Sequence, residues 1–405
     1  MLKRKSKYIL IAAVIASTIL SSTFVMAKEI TKETSDTNKS WSIKFNQDVD
    51  FNGDVKNAIT VIDSKGNILV TNIRLGDSKT IIIDAPKEGY KSGESYTINI
   101  SNKLHSIKNV QLKENVQCNF TITGAKDAYG EQVDNALKLG INKISQEGVG
   151  DDWQALVLSR YGQQVPASYV SNLESNLKAS SGIMNQPTDY ERTTIALMAV
   201  EKDPTNFVGY NLVEKIYNCN DMENQGINAY IFALIALDSG KFSVPENAAW
   251  TREKLINKIL DYRTEDKGWS YGGDTADPDM TGMAITALAP YKDRSDVKAA
   301  IDEAIDRLSA IQNEDGSFSS WGTVNSESCS QVVIALCSNG IDPTGDKFTK
   351  SKNALDALLQ CQVEGGGFYH TKETGYNTMG TEQALEALEA YKMLKAGKGS
   401  LYIFK

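Results

Sequence analysis

Residues 312–322 read QNEDGSFSSWG, and this stretch decides how the rest of the sequence is interpreted. Two related stretches, DKGWSYGG and EGGGFYHTKETG, also place an aromatic residue shortly after a glycine. The three aromatic residues, Trp269, Phe318 and Phe368, are 49 and 50 residues apart. A fixed period of this length indicates an internal repeat in which each unit packs against its neighbours.

Each of these stretches precedes a helix-like segment with an Ala-Leu step, and three less regular versions lie upstream. The six segments are DDWQALVLSRYG, TDYERTTIALMAVEKD, NQGINAYIFALIALDSG, DPDMTGMAITALAPY, SESCSQVVIALCSNG and NTMGTEQALEALEAY. They are apolar almost all round, and such helices must be buried. Amphipathic partner helices are expected between them, at 130–147, 166–180, 208–218, 248–262, 295–312 and 349–362. Twelve alternating helices predict a barrel of inner helices wrapped by outer ones, with the inner N-termini gathered at one mouth.

The first part of the chain has a different period. Between Ser40 and Thr123, short β-rich runs alternate with turn residues, which predicts an antiparallel sandwich over 38–124. The sequence DSKGN at 63–67 is a hairpin signal. Through SWSIKFN, GYKSGESYTINI and NFTIT, this part is similar to the Ig-like modules of bacterial surface proteins. That similarity implies a spacer or an adhesive surface.

The first 27 residues have the features of an export signal: a basic start, an apolar stretch and the small-residue site Val25-Met26-Ala27. We expect cleavage after Ala27 and a secreted or cell-surface protein; the alternative is an uncleaved anchor. Removal of the leader leaves 39 basic and 51 acidic residues, a net charge of −12. This balance excludes a basic surface for nucleic acid. Five widely spaced cysteines favour buried thiols.

The repeats carry a family resemblance. QNEDGSFSSWG resembles the Gln-to-Trp repeat of squalene and hopene cyclases and of protein prenyltransferase β-subunits. DPDMTGMAITALAPY is similar to secreted relatives of the transcobalamin and intrinsic-factor barrel. These resemblances imply an (α/α)6 toroid over 126–402. They do not select one activity, because such toroids serve as cyclases, transferases and ligand carriers.

A class II terpene cyclase protonates an alkene with the central Asp of a DxDD motif. The matching stretch here is Asp277-Pro278-Asp279-Met280, so the acid Asp279 is present but Met280 replaces the second aspartate. Aspartates before and within a first helical turn also cap free N–H groups. Acid catalysis, ligand contact and helix capping therefore all remain open for Asp277 and Asp279.

The resemblance to protein prenyltransferases implies a zinc site at the helix starts. Glu327 and Cys329 stand where those enzymes have Asp and Cys, whereas Asn377 or Thr378 replaces the expected His. The nearest imidazole is His370, so Glu327, Cys329 and His370 are the candidate metal ligands. The alternative is a polar helix cap beside a buried thiol.

Several carboxylates are expected on one rim of the barrel, since they lie near inner-helix starts: Asp189, Glu191, Asp279, Glu327 and Glu382. Paired carboxylates could cleave glycans, and Asp279 and Glu327 are the candidate catalytic residues. An extracytoplasmic cyclase or glycan-cleaving enzyme is therefore one alternative function. A second is an adhesive wall protein whose Ig-like module contacts the cell wall or other surface proteins.

The feature that best fits all these observations is an aromatic rim beside polar helix starts, the usual composition of a ligand site. We expect this mouth to bind an apolar or corrinoid-like small molecule. A corrinoid would be a bound ligand, and the sequence indicates no definite cofactor. The expected ligand-binding residues are Trp153, Tyr190, Glu191, Asn228, Tyr271, Asp277, Asp279, Trp321, Glu327, His370, Asn377 and Glu382.

Overall fold

The computed structural model describes residues 10–12, 30–34, 36–52, 57–91, 93–122 and 129–404. Internal contacts divide the chain into two units, 1–130 and 131–405. The expected leader, 1–27, lies outside the described residues except for the strand Leu10–Ala12. Among the described residues, no helix combines the length and apolarity that crossing a bilayer requires.

Two sheets form the described part of the first unit, with strand orders β1-β3-β7-β6 and β2-β9-β8-β4-β5. They share one hydrophobic core, in which Trp41 of β3 and Phe120 of β9 lie 4.6 Å apart between ring centroids. The strands are β1 (Leu10–Ala12), β2 (Ile30–Thr34), β3 (Trp41–Lys44), β4 (Ile59–Asp63), β5 (Ile68–Leu69), β6 (Ile73–Asp77), β7 (Thr80–Ile83), β8 (Ser95–Ile100) and β9 (Val116–Ile122).

The period of two is visible in β8, where Tyr96, Ile98 and Ile100 are buried and the residues between them are not. The expected hairpin joins β4 to β5, and Asp63 Oδ1 accepts hydrogen bonds from the backbone N–H groups of Lys65 and Asn67. The sequence predicted antiparallel strands, but two of the strand pairs, β1–β3 and β2–β9, are parallel. Residue alternation gives the buried face of a strand but not its direction.

The second unit contains twelve α-helices in its described residues, with four short strands in two hairpins. The helices are α1 (Gly130–Glu147), α2 (Asp152–Tyr161), α3 (Ala167–Ala179), α4 (Pro187–Ala199), α5 (Leu212–Tyr217), α6 (Gly226–Ser239), α7 (Arg252–Asp261), α8 (Pro278–Leu288), α9 (Ser295–Ile311), α10 (Ser326–Ser338), α11 (Ala354–Leu359) and α12 (Thr378–Lys395). The hairpins are β10 (Ser319–Ser320) with β11 (Thr323–Val324), and β12 (Phe368–Tyr369) with β13 (Tyr376–Asn377).

The even-numbered helices form a closed inner ring. Each packs against the next in chain order, from α2 through α4, α6, α8 and α10 to α12, and α12 packs back against α2. The odd-numbered helices lie outside. Helix α6 is buried on nearly all sides, whereas α9 buries a single stripe that includes Val297, Ile301 and Leu308. The helical toroid expected from the repeats is confirmed.

The repeat motif holds each outer helix to the loop that follows it. Gln312 Nε2 donates hydrogen bonds to the carbonyl oxygens of Gly316 (3.0 Å) and Phe348 (2.9 Å). One repeat later, Gln362 makes the same bond to Gly366 at 3.0 Å. The repeat aromatics Trp269, Phe318 and Phe368 are completely buried. These aromatic side chains therefore pack the fold and do not face a ligand.

Residues 400–404 cross the C-terminal end of the ring. Arg160 at the end of α2 donates hydrogen bonds to the carbonyl oxygens of Leu401 (2.6 Å) and Ile403 (2.9 Å). The backbone N–H of Phe404 donates to Ser239 O at the end of α6, and Tyr402 and Ile403 lie beside residues of α8. Because α2 and α8 are opposite one another in the ring, this tail closes its far end.

Candidate functional site

The inner helices begin with side chains that cap their free N–H groups. Asp277 accepts from the backbone N–H of Met280 at 2.8 Å, and Asn377 accepts from that of Gly380 at 2.8 Å. Asp151 caps α2 in the same way. Both residues therefore cap helices, and the ligand contact expected of Asp277 and Asn377 stays a prediction.

Four residues form what we call the rim cluster: Asp279, Glu327 and Ser328 from the starts of α8 and α10, and His370 from the loop of the β12–β13 hairpin. The Ser328 hydroxyl donates to Asp279 Oδ2 at 3.0 Å, and Glu327 Oε2 lies 2.9 Å from His370 Nδ1. The second oxygens, Asp279 Oδ1 and Glu327 Oε1, are buried without a hydrogen-bond partner. Burial raises the pKa of Asp279 to about 6. The cluster thus contains two buried acceptor atoms without a donor.

The expected zinc ligands do not form a metal site. Glu327 pairs with His370, whereas Cys329 lies two positions further along α10, on a different side of the helix, and is fully buried. Burial also raises the pKa of the Cys329 thiol, which opposes the thiolate form that zinc requires. Among the described residues, no cluster of histidine, cysteine and acidic side chains could hold a metal ion.

Two aromatic side chains of the rim are exposed to solvent: Tyr271 at 59% and Trp321 at 79%. Trp321 and Gly322 form the two-residue turn of the β10–β11 hairpin, and both have positive φ, 53° and 79°. Such turns normally contain Asn or Gly, because a bulky side chain is strained at positive φ. Folding alone would not favour tryptophan at this turn.

A cavity of about 210 Å³ lies inside the ring, and all six inner helices contribute to its wall. It contains Trp153 and Asn228, two of the expected ligand-binding residues. Tyr402 and Glu386 form its floor, with a 2.8 Å hydrogen bond from the tyrosine hydroxyl to Glu386 Oε2. The remaining lining residues are Thr188, Arg192, Phe232, Met283, Gln331 and Gln383.

Helix α12 carries three buried carboxyl groups in a column, at Glu382, Glu386 and Glu389. Glu382 Oε1 accepts a hydrogen bond from Gln154 Nε2 of α2 at 2.8 Å, and burial followed by contact with Asp151 raises its pKa. Burial raises the pKa of Glu386 to about 8. The spacing of four and three residues places all three on one face of the helix.

Tyr190 and Glu191 are not part of the mouth. Tyr190 packs into a cluster with Leu177 and Leu197, and its hydroxyl donates to the carbonyl oxygen of Gly182. Glu191 is completely buried, both of its oxygens lack hydrogen-bond partners, and burial raises its pKa strongly. The ring of Tyr190 therefore packs towards α3, and the ligand contact expected of Tyr190 and Glu191 stays a prediction.

The comparisons with known proteins agree with the repeat motifs. No protein-family model matches the chain. Copalyl diphosphate synthase from Streptomyces cyslabdanicus is 24% identical over 263 residues, which cover 60% of this chain and 48% of that protein. The chain is similar to class II terpene cyclases.

Two solved structures are also similar. In ent-copalyl diphosphate synthase from Streptomyces platensis, the identity is 20% and the TM-score 0.42, over 61% of this chain and 50% of that chain. The second is a variant of the type II terpene cyclase MstE from Scytonema, in complex with geranylgeranyl dihydroxybenzoate. Its identity is 11% and its TM-score 0.44, over 66% of this chain and 97% of that chain. The chain spans about half the length of the copalyl diphosphate synthases that it matches.

The raised pKa of Asp279 predicts a pH-dependent effect of Asp279→Asn. Because the folded state disfavours the ionised form, wild-type stability falls as pH rises from about 4 to about 6, by roughly 1–3 kcal/mol from this group. The amide variant does not ionise, so it gains that amount relative to wild type between pH 4 and pH 7. Urea unfolding at both pH values measures the difference. Asp274→Asn, at an exposed site in the loop that precedes α8, should show no such gain.

Proposed function

We propose that the helical unit binds a partly apolar small molecule, isoprenoid or corrinoid-like, across its N-terminal rim. One observation carries this proposal: Trp321 is exposed at a strained turn position of the β10–β11 hairpin, and β10 packs against α8, the helix that carries Asp279. Strain at a positive φ is retained where the surrounding structure uses the side chain for something other than folding. The exposed indole and Tyr271 offer apolar contact area, and the partly exposed His370 ring, which pairs with Glu327, offers a polar contact.

The dimensions of the ring determine how such a ligand would lie. The cavity inside the ring, at about 210 Å³, is smaller than the roughly 300–1,000 Å³ typical of sites that enclose drug-sized ligands. A corrinoid or a polyprenyl chain would therefore rest on the rim instead of entering the ring. This arrangement makes Trp321 and Tyr271 the main contacts.

The binding proposal predicts opposite effects of Trp321→Asn on stability and affinity. Asparagine tolerates positive φ, so the variant should be more stable than wild type by about 0.5–1 kcal/mol. Loss of the indole should weaken ligand binding at least tenfold. Thermal unfolding measures the first effect. Isothermal titration calorimetry with geranylgeraniol, geranylgeranyl diphosphate and cyanocobalamin as separate probes measures the second.

Val70→Asn is the matched control, because Val70 is 91% exposed but belongs to the first unit. It removes exposed apolar area without changing any residue of the rim, and it should leave the affinity for the ligand probes unchanged. If the bound probe keeps its full affinity in Trp321→Asn, or if none of the three probes binds to the wild-type chain, the rim is not the site.

Acid catalysis of the class II cyclase kind is a second candidate, favoured by the buried carboxyl group of Asp279. With a pKa of about 6, a fraction of this group is protonated at neutral pH and could transfer a proton to an alkene bound at the rim. Similarity to copalyl diphosphate synthase supports this candidate. Incubation with geranylgeranyl diphosphate should then yield a cyclised isomer, and Asp279→Asn should abolish it. Binding without any product in the wild-type chain would favour the carrier function.

The proposal includes an export route and a role for the first unit. Residues 1–27 would direct secretion, and the two sheets of the first unit would act as an Ig-like module that contacts the cell wall or other surface proteins. The alternating strands and the shared core support the Ig-like assignment. Mass spectrometry of protein recovered from the culture medium tests cleavage after Ala27. A retained leader would contradict it.

A further inference from the structure

The floor of the ring cavity contains an unsatisfied carboxyl oxygen. Glu386 is only 3% exposed, and its Oε2 accepts the hydrogen bond from Tyr402, while its Oε1 has no hydrogen-bond partner. A buried polar atom of this kind costs free energy unless a partner satisfies it. Since Glu386 lines the cavity, a positively charged molecule inside the cavity could offset that cost by stabilising the ionised carboxyl group.

Three aromatic rings surround the same space. The centroid of Trp153 lies 5.6 Å from that of Phe232 and 6.4 Å from that of Tyr402, and all three residues line the cavity. Neither pair is a flat stack, since the planes meet at 55° and 66°. Rings that face a common space at such angles form a cage, the arrangement that attracts organic cations through the negative faces of the rings.

The helix segments around the cavity are mainly acidic. Arg192 also lines the cavity, but it pairs with Asp152 at 3.2 Å and with Asp189 at 3.1 Å. The N-terminal halves of the six inner helices, with their capping residues, carry one arginine, no lysine and nine carboxyl groups. These are Asp151, Asp152, Asp189, Glu191, Asp277, Asp279, Glu327, Glu382 and Glu386. Because burial raises the pKa of Glu191, Glu382 and Glu386, the negative field of these segments strengthens as the pH rises, and it favours the entry of cations over that of anions.

We propose that the ring cavity, walled by Trp153, Phe232 and Tyr402 above Glu386, binds a small organic cation of the quaternary ammonium class. The cation would lie against the three rings and favour the ionised form of Glu386, so its binding should strengthen as the pH rises from 7 to 9 through the pKa of about 8 that burial gives this carboxyl group. Trp153 and Phe232 are only partly buried, so the cavity is reachable from solvent. The volume of about 210 Å³ suits a head group of a few heavy atoms rather than a larger ligand. This site is separate from the rim and does not depend on the proposed rim function.

Choline and its neutral isostere 3,3-dimethylbutan-1-ol test the proposal, because they share a shape and differ in charge. Calorimetric titration of the full-length chain should show choline binding with a dissociation constant below about 1 mM and binding of the alcohol at least tenfold weaker. At pH 9, where most of the Glu386 carboxyl group is ionised, Glu386→Gln keeps an acceptor for Tyr402 but removes the charge, and it should weaken choline binding at least tenfold.

Glu389→Gln is the matched control, since Glu389 is equally buried one turn further along α12 but does not line the cavity. It should leave choline binding unchanged. Phe232→Leu provides a second test that does not alter the buried acid, and it should weaken choline binding severalfold. Equal affinity for choline and the alcohol, full affinity in Glu386→Gln, or no choline binding to wild type would each overturn the proposal. Trp321→Asn should not affect choline binding, which separates this test from that of the rim.

Discussion

Replacing Gly316 with alanine should destabilise the helical unit by more than about 4 kcal/mol, enough to lower the yield of folded protein. Gly316 has a φ of +85°, and a Cβ atom there would lie 2.4 Å from the carbonyl oxygen of Asn353. That oxygen belongs to the residue that caps α11, so it cannot move without disturbing the cap. Urea unfolding, or thermal unfolding where the yield is too low, measures the effect.

Gly340→Ala is the control for the backbone contribution. Gly340 also has a positive φ, +74°, but no atom lies within 4 Å of the Cβ position. This variant should cost only about 1 kcal/mol, the usual penalty for a left-handed alanine. Similar losses in the two variants would show that close packing against Asn353 does not explain the repeat glycine.

Replacing Arg160 with methionine should cost about 2–4 kcal/mol. The variant keeps the apolar length of the side chain but removes the two donors to Leu401 and Ile403 and the guanidinium that lies 3.8 Å from the ring centroid of Phe404. Each charged hydrogen bond to a buried carbonyl group contributes about 1.5–3 kcal/mol, with partial compensation by water once the tail loosens. Urea unfolding measures the loss, and limited proteolysis should cut the tail more rapidly.

Arg294→Met is the control for the loss of an arginine as such. Arg294 makes its contacts with Asp296 and Asn257 at the surface. Exposed ion pairs contribute about 1 kcal/mol or less, so this variant should be nearly neutral. An effect of Arg160→Met no larger than that of Arg294→Met would mean that the tail is not held by Arg160.

The sequence predicted the order and packing of the helices because the information is local and repeated. An apolar segment such as α6 must be buried wherever it lies, and the 50-residue period fixes what lies beside it. The glutamine and the glycine recur together because Gln312 and Gln362 each donate a hydrogen bond to the carbonyl oxygen of the glycine in the same repeat. The same reasoning placed Asp279, Glu327 and His370 at one rim, where the structure brings them together with Ser328.

The floor of the ring was not predicted, because its contacts join residues far apart in the chain. Arg160 and Leu401 are 241 positions apart, and Gln154 and Glu382 are 228 positions apart. One signal was present: Glu382, Glu386 and Glu389 recur on one face of a helix that must be buried. Carboxylates at such positions require partners, so the sequence EQALEALE at 382–389 could have indicated a polar centre within the ring.

The tail across the far end of the ring affects the kinetics of whatever enters it. In the part of the chain that the structure describes, the tail covers the C-terminal end of the ring and Tyr402 lies at the floor of the cavity. An occupant of the cavity would therefore enter and leave at the N-terminal mouth. A molecule bound at the rim, as proposed, would lie over that route, so the inner occupant would load first and escape last.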